Sequence, residues 1–319
     1  MKSFDELITF IRKEVNRELK QISLPKSPTY LYDPIRYTIN GNGKRFRPIL
    51  VHLAGRANNV DPESIMKIAL SVELLHNFTL IHDDIMDNDD YRHGQKAIHT
   101  KWDISTAILA GDGIYALAQI LLSGLSERSD IICHYFNSTI LEICEGQAMD
   151  KEFENNLSIN EKEYLDMIEK KTGSLLGACS AIPAILMNTD KMIIDQLKYF
   201  GRIIGNGFQI HDDLLEIYGD SKNMGKSLGS DIFEGKQTLL VIKARDKYNT
   251  QWEKLIQNKN DINFLDDLRQ FFLSTGIKSE TEKIAESFFN SARDTLIKID
   301  SINRDELLKF VNLIENRKY

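Results

Sequence analysis

Residues 81–87 read IHDDIMD, and residues 210–216 read IHDDLLE, so one chain contains the same acidic heptad twice. Each copy places acids at its third, fourth and seventh positions among apolar residues. On a helix, residues i and i+4 differ by about 40°, so Asp83 and Asp87 share a face, and the second copy has the same geometry. Carboxylates among apolar neighbours need a cationic partner. The repeat therefore predicts two helices that face each other across a cavity and hold divalent cations.

The repetition is more informative than either copy alone. An acid triplet at this spacing is expected roughly once by chance in a chain of this acid content. Repetition of the whole string argues against two solvated helix ends that carry acids by accident. Aspartates that leave room for water and phosphate are typical ligands of Mg²⁺, whereas His82 and His211 lie about 100° away from the adjacent acid and are better explained as packed histidines than as zinc ligands.

Helical periodicity dominates the rest of the chain. Apolar residues recur at steps of three and four from Phe4 to Leu19 and from Leu307 to Ile314, where Asp305 is a candidate cap. Strand signals are sparse, and no low-complexity linker divides the chain. We therefore predict an all-α protein with a single domain over residues 1–319. Further long helices are predicted at 65–75, 104–117, 131–143, 164–176 and 192–217.

The composition limits the kinds of partner and the cellular location that we expect for this chain. The net charge is −7 and the pI is near 5.6, so no overall positive field favours nucleic acid or an anionic membrane. The N-terminal segment does not resemble a secretory signal, and no stretch has the roughly 20 uninterrupted apolar residues of a membrane span. The cysteines Cys133, Cys144 and Cys179 lack CxxC spacing and are typical of a reducing compartment. We expect a soluble, cytoplasmic protein.

Basic residues are available to balance an anionic ligand. The turn GNGKRFRP, residues 41–48, suits an anion, although alone it is explained equally well as a solvated charge run. Residues 219–236, GDSKNMGKSLGSDIFEGK, predict a surface loop of the kind that often covers a binding site. No single cation here would neutralise a diphosphate, whereas the set together with two or three Mg²⁺ would. The set is Lys44, Arg45, Arg47, Arg92, Lys171, Lys226 and Lys236.

These motifs, in this order, resemble the trans-isoprenyl diphosphate synthases. The resemblance is carried by GKRFRP, ELLHNFTLIHDDIMDNDDYRHG, AILAGD, EGQAMD, MIEKKTGSLLG, and GFQIHDDLLEIYGD with MGKSLGSDIFEGKQT. It is strongest to the archaeal-type geranylgeranyl diphosphate synthases. It implies an isoprenoid-synthase bundle of long helices around a deep central cavity, with the acidic heptads at its mouth, and a homodimer.

The resemblance also implies a reaction. Isopentenyl diphosphate would condense with an allylic diphosphate (dimethylallyl, geranyl or farnesyl), in the presence of two to three Mg²⁺, to give a longer all-trans prenyl diphosphate. Metals and cations make diphosphate a good leaving group, the double bond attacks the allylic cation, and a proton is lost. No side-chain nucleophile is needed, and the sequence offers no convincing Ser/His/Asp or Cys/His set.

Residue roles are implied wherever the sequence matches a family motif. The implied ligands of Mg²⁺ are Asp83, Asp84 and Asp87 on one helix and Asp212 and Glu216 on the other. The residues implied to bind the allylic diphosphate are Arg92, Lys171, Lys226 and Lys236. Those implied to bind isopentenyl diphosphate are Lys44, Arg47 and His76. Lys171, Thr172 and Gln209 are the implied catalytic residues, with the dipoles of Thr172 and Gln209 beside the reacting carbons.

Two departures from the family pattern bear on binding. His93 stands in the substrate site where a second arginine is common, so we expect weaker and pH-sensitive binding of isopentenyl diphosphate. Glu216 replaces the last aspartate of the second heptad, with the same charge and a longer reach.

The product length depends on the helix that carries the first heptad. The growing tail would run toward residues N-terminal to Asp83, where Phe78 would form part of the cavity floor beside the small Thr79. In the family this pairing goes with a twenty-carbon product, although an ordinary core phenylalanine is the other interpretation. A farnesyl or longer-chain synthase stays open.

Two further alternatives come from different classes. A class I terpene cyclase shares the ionisation step but would not need Lys44, Arg47 and His76, because it holds no second diphosphate. Head-to-head prenyl synthases also differ, because they join two allylic substrates. A regulatory subunit without activity would have lost acids, whereas both heptads are intact.

Overall fold

Helices form nearly all the regular structure of the computed structural model, which describes residues 3–41, 43–219 and 228–317. The all-α prediction is confirmed. The helices are α1 (Phe4–Gln21), α2 (Thr29–Ile39), α3 (Phe46–Ala57), α4 (Pro62–Asp87), α5 (Ile98–Lys101), α6 (Ile104–Ser123), α7 (Ser129–Phe153), α8 (Glu161–Ile168), α9 (Ser174–Leu186), α10 (Lys191–Tyr218), α11 (Ser230–Phe233), α12 (Leu239–Gln257), α13 (Phe264–Ser274), α14 (Ile277–Ile297) and α15 (Asp305–Glu315).

The chain forms two compact units. The first comprises Met1–Asn137, Ala178–Lys198 and Ile299–Lys309, and the second comprises Ser138–Gly177, Tyr199–Lys298 and Phe310–Tyr319. The first acidic heptad belongs to the first unit and the second heptad to the second. The single domain and the facing of the two heptads therefore stay predictions.

Helix α4 is the central helix of the first unit. Asp61 caps it by accepting a hydrogen bond from the backbone N–H of Ser64 (2.9 Å), and Pro62 occupies the first turn. Its buried residues are distributed around the whole helix instead of along one stripe, as expected for a helix enclosed by neighbours. Helices α3 and α6 pack against it. This packing fixes the helix whose last two turns carry the first heptad.

Helices α4 and α6 are long and apolar enough to cross a membrane by length and composition. The most apolar part of α4 is 61% buried, which is typical of a core helix, whereas that of α6 is 33% buried. Ile108, Leu109 and Ile120 are among the exposed side chains of α6. An apolar helix therefore lies at the surface of the first unit.

The second unit has a core rich in aromatic residues. Trp252 of α12 stacks on Phe272 of α13 with ring centroids 6.0 Å apart. Leu214 and Ile217 of α10 are buried in the same cluster. The second acidic heptad therefore lies beside a packed core, because its Leu214 is part of the cluster and Ile217 follows the heptad directly.

A π-helical turn, Glu169–Gly173, joins α8 to α9. The prediction of one regular helix over residues 164–176 was wrong in this detail. A Cβ on Gly146 of α7 would lie 2.3 Å from the backbone nitrogen of Lys171, and a Cβ on Gly205 of α10 would lie 2.4 Å from the Cα of Gly173. Since no larger residue fits at such distances, these glycines let α7 and α10 pack directly on the π-turn.

A short hairpin follows α4. Strands β1 (Tyr91–Arg92) and β2 (Gln95–Lys96) pair antiparallel, with Arg92 opposite Gln95. The two turn residues, His93 and Gly94, have φ values of 51° and 76°. Two-residue hairpin turns of this kind need positive φ at both positions, which histidine tolerates better than most side chains. The hairpin therefore fixes the positions from which the side chains of Arg92 and His93 extend.

The glycine-rich loop expected at residues 219–236 contains a short helix, α11, so the prediction of a continuous loop was wrong there. Residues 220–227, and with them the predicted ligand Lys226, lie outside the described residues. Asp305 is the first residue of α15 and not its cap.

Candidate active site

The first heptad occupies the C-terminal end of α4. Asp83 and Asp87 are half-buried, whereas Asp84, between them in sequence, is buried. Arg92 donates to Oδ1 of Asp84 through Nε at 2.7 Å and also through Nη2, and it donates to Oδ2 of Asp89 at 2.9 Å. Two carboxylates therefore hold this guanidinium in one orientation. The structure thus brings Arg92 and Asp84 together, as part of one charged cluster.

The basic turn contributes one structural arginine and one candidate ligand. Arg45 has φ 55° at the start of α3, and its buried guanidinium pairs with Glu73 of α4 and donates to the backbone oxygen of Gly41 at 2.6 Å. A fork held on several sides at a buried position fastens the turn. Arg45 therefore anchors the turn that contains Lys44 and the start of α3, which carries Arg47.

Arg47 and His76 meet in the first unit. Nη1 of Arg47 lies 3.1 Å from Nε2 of His76. Because a guanidinium only donates, Nε2 accepts, and the imidazole is neutral. Burial, followed by the charge of Arg47, lowers the pKa of His76 well below its usual value. Partial loss of solvent, followed by the charge of Arg92, lowers the pKa of His93. Both histidines therefore adjoin an arginine and favour the neutral form.

In the second unit, Nζ of Lys171 donates to Oδ2 of Asp150 at 2.7 Å. Asp150 is the last residue of the EGQAMD motif and is nearly buried on α7. The carboxylate fixes the lysine head group, and Gly146 of the same motif allows the approach of the lysine's backbone. The EGQAMD motif therefore both leaves space for the backbone of Lys171 and orients its side chain.

Thr172 and Gln209 belong to a continuous hydrogen-bond network. The hydroxyl of Thr172 donates to Oε1 of Gln209 (2.9 Å), and Nε2 of Gln209 donates to Oδ1 of Asp213 (2.9 Å). The hydroxyl of Tyr164 donates to the other oxygen of Asp213 at 2.6 Å. Burial, followed by the charge of Asp231, raises the pKa of Asp213 to about 7 despite these donors. The network orients the amide and leaves the lone pairs of the Thr172 oxygen pointing away from it.

The two predicted metal ligands of the second heptad, Asp212 and Glu216, have different partners. Arg317 donates to Oδ1 of Asp212 through Nη2. Glu216 accepts from the hydroxyl of Ser230 (3.1 Å) and from the backbone N–H of Asp231 (3.2 Å). Burial, followed by the charge of Asp231, raises the pKa of Glu216 to about 8. These acids are crowded, and the second heptad therefore favours the binding of a positive charge.

Lys236 is held within the loop that precedes α12. Its Nζ lies 2.9 Å from Oε2 of Glu234 and 3.6 Å from Oδ1 of Asp231. The carboxylate of Asp231 also raises the pKa of Glu216. Lys236 therefore shares an acidic neighbour with the second heptad.

Phe78 lies between α4 and α6. Its ring centroid is 4.6 Å from that of His82 and 5.6 Å from that of Tyr115. The hydroxyl of Tyr115 donates to Asn137 of α7 at 2.6 Å. Thr79 donates its hydroxyl to the backbone oxygen of His76 (2.8 Å), which keeps this small side chain against its own helix. Phe78 therefore belongs to an aromatic cluster, and Tyr115 connects this cluster to α7 through its hydrogen bond to Asn137.

The carboxylates fit a hard divalent cation that keeps ligands from outside the protein. Within residues 3–41, 43–219 and 228–317, no three His, Cys, Asp or Glu side chains form a metal site by themselves. Mg²⁺ commonly takes only one or two carboxylates and completes its shell with water and phosphate. Each heptad already has a guanidinium against one of its acids. Both heptads therefore favour a positive charge, and their oxygen donors suit Mg²⁺ better than zinc.

Comparison with known proteins identifies the family. The sequence profile of the family described as Polyprenyl synthetase matches residues 28–270. The chain belongs to the polyprenyl synthetase family. It is a prenyl diphosphate synthase that catalyses a trans-prenyl transfer, and the resemblance expected from the motifs is confirmed.

Two relatives show how this family varies. A geranylgeranyl pyrophosphate synthase of Geoglobus acetivorans is 44% identical over 242 residues, which cover 75% of this chain and 76% of that protein. A geranylfarnesyl diphosphate synthase of Natronomonas pharaonis is 37% identical over 317 residues, covering 89% and 93%. Because their named products differ, family membership establishes the reaction class and not the length of the product.

Solved structures share the fold. A crystal structure of a geranylgeranyl pyrophosphate synthase has a TM-score of 0.89 with 31% identity and covers all of both chains. The polyprenyl synthase of Caulobacter crescentus CB15, solved in complex with calcium and isoprenyl diphosphate, has a TM-score of 0.87 with 26% identity, covering 99% of this chain and 98% of that one. The predicted isoprenoid-synthase bundle is therefore confirmed as the fold.

Several residues that hold the site together were missed by sequence reasoning. Asp150, Asp213 and Arg317 contact predicted site residues, and Tyr164 contacts Asp213, but none of the four was predicted as part of the site. Asp150 could have been found, because it ends a quoted family motif. Tyr164 and Arg317 carry no local signal, since their partners lie far away in the sequence.

Proposed function

We propose that this enzyme condenses isopentenyl diphosphate with an allylic diphosphate and releases geranylgeranyl diphosphate, a twenty-carbon product. The observation that carries this proposal is the packing of Phe78, five residues before Asp83, against Tyr115 of α6. A tail that grows from the first heptad along α4 would meet this aromatic pair within about 8 Å, at a rise of 1.5 Å per residue. The name of the Geoglobus acetivorans relative supports the same product.

A twenty-five-carbon product is the second candidate. The geranylfarnesyl diphosphate synthase of Natronomonas pharaonis matches a larger share of this chain. Mass analysis of products from dimethylallyl, geranyl and farnesyl diphosphate, each with isopentenyl diphosphate and Mg²⁺, separates the candidates. A dominant twenty-carbon product supports the proposal, and a longer dominant product refutes it. Conversion of the allylic substrate alone would instead indicate a cyclase.

Isopentenyl diphosphate is assigned to the basic cluster of the first unit. Arg47 and Lys44 supply the charge, and the neutral His76 orients Arg47 by accepting its N–H. His93 extends from the hairpin turn beside Arg92. A neutral imidazole offers one uncharged donor, so this position contributes less to anion binding than an arginine fork.

The allylic diphosphate is assigned to Arg92, Lys171 and Lys236, together with Lys226 of the segment outside the described residues. Arg92 and Lys171 are each held by a carboxylate, which fixes the direction of their remaining donors. Fixed donors stabilise the charge that develops on the departing diphosphate without reorganising first.

Two to three Mg²⁺ are the proposed cofactors. Asp83 and Asp87 would hold them on α4, with Asp212 and Glu216 of α10. Bound Mg²⁺ neutralises the diphosphate and makes it a better leaving group. We assign Asp84 to Arg92 instead of to the metal, because its buried carboxylate already accepts two hydrogen bonds from that residue.

Thr172 and Gln209 are assigned to the positive charge of the allylic fragment. The Thr172 hydroxyl uses its only hydrogen on Gln209, so its oxygen lone pairs stay available toward a cation. Asp213 and Tyr164 hold the amide in place. Oriented dipoles of this kind favour ionisation without forming a bond to the substrate.

A homodimer is proposed through the apolar face of α6. The most apolar part of this helix is 33% buried, and Leu109 and Ile120 are 46% and 65% exposed. A large exposed apolar patch usually marks an interaction surface. A second copy is the occupant implied by the family resemblance. Light scattering of the wild type and of Leu109→Glu tests it, since a dimer that becomes a monomer is expected and a monomeric wild type would refute it.

A further inference from the structure

Arg317, near the end of the chain, is held against the second heptad on several sides. Its Nη2 donates to Oδ1 of Asp212 and to the backbone oxygen of Phe208 (2.9 Å), and its Nε lies 3.3 Å from Nδ1 of His211. The guanidinium also lies 3.6 Å from the ring centroid of Phe208. These four contacts to three residues, spread over little more than one turn of α10, make this a built site for one guanidinium.

Burial of the pair is unequal. The side chain of Arg317 is 5% exposed, whereas that of Asp212 is 31% exposed. Because a guanidinium only donates, Nδ1 of His211 is the acceptor in its contact with Nε of Arg317. The arginine is therefore enclosed by the protein, while the carboxylate that it neutralises still reaches solvent.

The position of this charge matters because the same carboxylate is a proposed metal ligand. An aspartate oxygen that accepts from a guanidinium offers less electron density and less space to a divalent cation. Two positive charges at one carboxylate also repel each other. Occupation of Asp212 by Arg317 and by a metal ion is therefore mutually unfavourable.

We propose that Arg317 is a tethered counter-ion of Asp212 that sets the affinity of the second heptad for divalent cations. The inference rests on the proposed function, which makes Asp212 a metal ligand. Without metal, Arg317 neutralises the carboxylate; with metal, the guanidinium withdraws from Oδ1 and keeps its contacts to Phe208. If the pair is closed about 90% of the time, the apparent metal affinity is lowered about tenfold, because only the open fraction binds.

Arg317→Gln and Arg317→Lys test the proposal on the full chain. The first variant removes the charge, and the second keeps it without the planar fork. Arg293→Gln is the matched control, because Arg293 of α14 binds Asn312 and Glu315 of the C-terminal helix without touching the heptad. Asp212→Asn tests the ligand assignment itself. Free Mn²⁺ is measured by electron paramagnetic resonance during titration, alone and with methylenediphosphonate, and thermal unfolding is followed in parallel.

We expect Arg317→Gln to bind Mn²⁺ about tenfold more tightly than the wild type, Arg317→Lys to lie between them, and Arg293→Gln to match the wild type. Without metal, Arg317→Gln should also unfold at a lower temperature than the wild type. Added Mn²⁺ should raise the unfolding temperature of Arg317→Gln more than that of Arg293→Gln. A lower affinity for Mn²⁺ in Asp212→Asn, together with an unchanged or lower affinity in Arg317→Gln, overturns the inference about Arg317 and leaves the assignment of Asp212 as a ligand intact. Equal binding by the wild type and Asp212→Asn overturns the ligand assignment and the inference with it.

Discussion

Arg92 donates two hydrogen bonds to one oxygen of Asp84, whose side chain is only 5% exposed. The middle acid of the first heptad therefore acts on an arginine within its own unit, although its spacing in sequence looks like that of a metal ligand. Asp83 and Asp87, which flank it, keep more solvent-accessible surface. The three acids of the first heptad therefore differ in burial, and Asp84 is the most buried of them.

Asp84→Asn should raise the KM for the allylic diphosphate by about tenfold or more, since hydrogen bonds to a charged partner contribute about 1.5–3 kcal/mol. The Mg²⁺ concentration for half-maximal rate should stay unchanged, because Arg92 and not the metal loses its partner. Steady-state kinetics at varied Mg²⁺ measure both, with Asp83→Asn as the comparison that should need more Mg²⁺. If Asp84→Asn shifts the Mg²⁺ requirement as far as Asp83→Asn does, Asp84 is a metal ligand.

Gly146→Ala should destabilise the fold and abolish most activity. The new methyl group would lie 2.3 Å from the backbone nitrogen of Lys171, so α7 and the π-turn must separate. Overpacking of this kind costs about 1–3 kcal/mol. Urea denaturation measures the loss of unfolding free energy. Gly124→Ala is the control, because its methyl group would come no closer than 3.4 Å to another atom. A stable and active Gly146→Ala enzyme would contradict the close packing.

Phe78→Ala should lengthen the main product by at least one five-carbon unit, because it opens the aromatic floor between α4 and α6. Tyr115→Ala should act in the same direction, whereas Tyr115→Phe keeps the ring and should leave the length unchanged while losing the hydrogen bond to Asn137. Chromatography of the dephosphorylated alcohols reads the distribution. Identical distributions for the wild type and Phe78→Ala would make Phe78 an ordinary core residue.

His52 of α3 should make the fold sensitive to acid. Burial, followed by the charge of Arg56, lowers its pKa to about 4, and its Nε2 is buried without a partner among the described residues. The unfolded chain, with an ordinary histidine pKa near 6.5, therefore binds the proton first as the pH falls. The stabilising effect is present above about pH 6.5 and is lost between there and about pH 4.

The free energy of unfolding should thus fall between pH 7.5 and pH 5 by about 2 kcal/mol more in the wild type than in His52→Leu. Urea denaturation at the two pH values measures this difference, and comparing slopes cancels any change in packing at pH 7.5. The same pH dependence in both proteins would show that His52 binds its proton equally well in the folded and the unfolded chain.

The sequence determined the parts of this protein that depend on local spacing. Apolar residues at steps of three and four specify helices wherever they occur, and acids at i and i+4 share a face on any helix. The order of the motifs also identified the family, which the comparisons confirm. These features needed no knowledge of which helices are neighbours.

Only the tertiary structure decided which charged groups meet. Asp212 and Arg317 lie 105 positions apart, and Tyr164 lies 49 positions before Asp213. The heptads look equivalent in sequence, yet Asp84 accepts from an arginine of the adjacent hairpin, whereas its counterpart Asp213 accepts from Tyr164 and Gln209. The physical reason is that a side chain's pKa, orientation and accessibility depend on what packing brings to it, and packing is set by the whole core and not by the residues beside it in the chain.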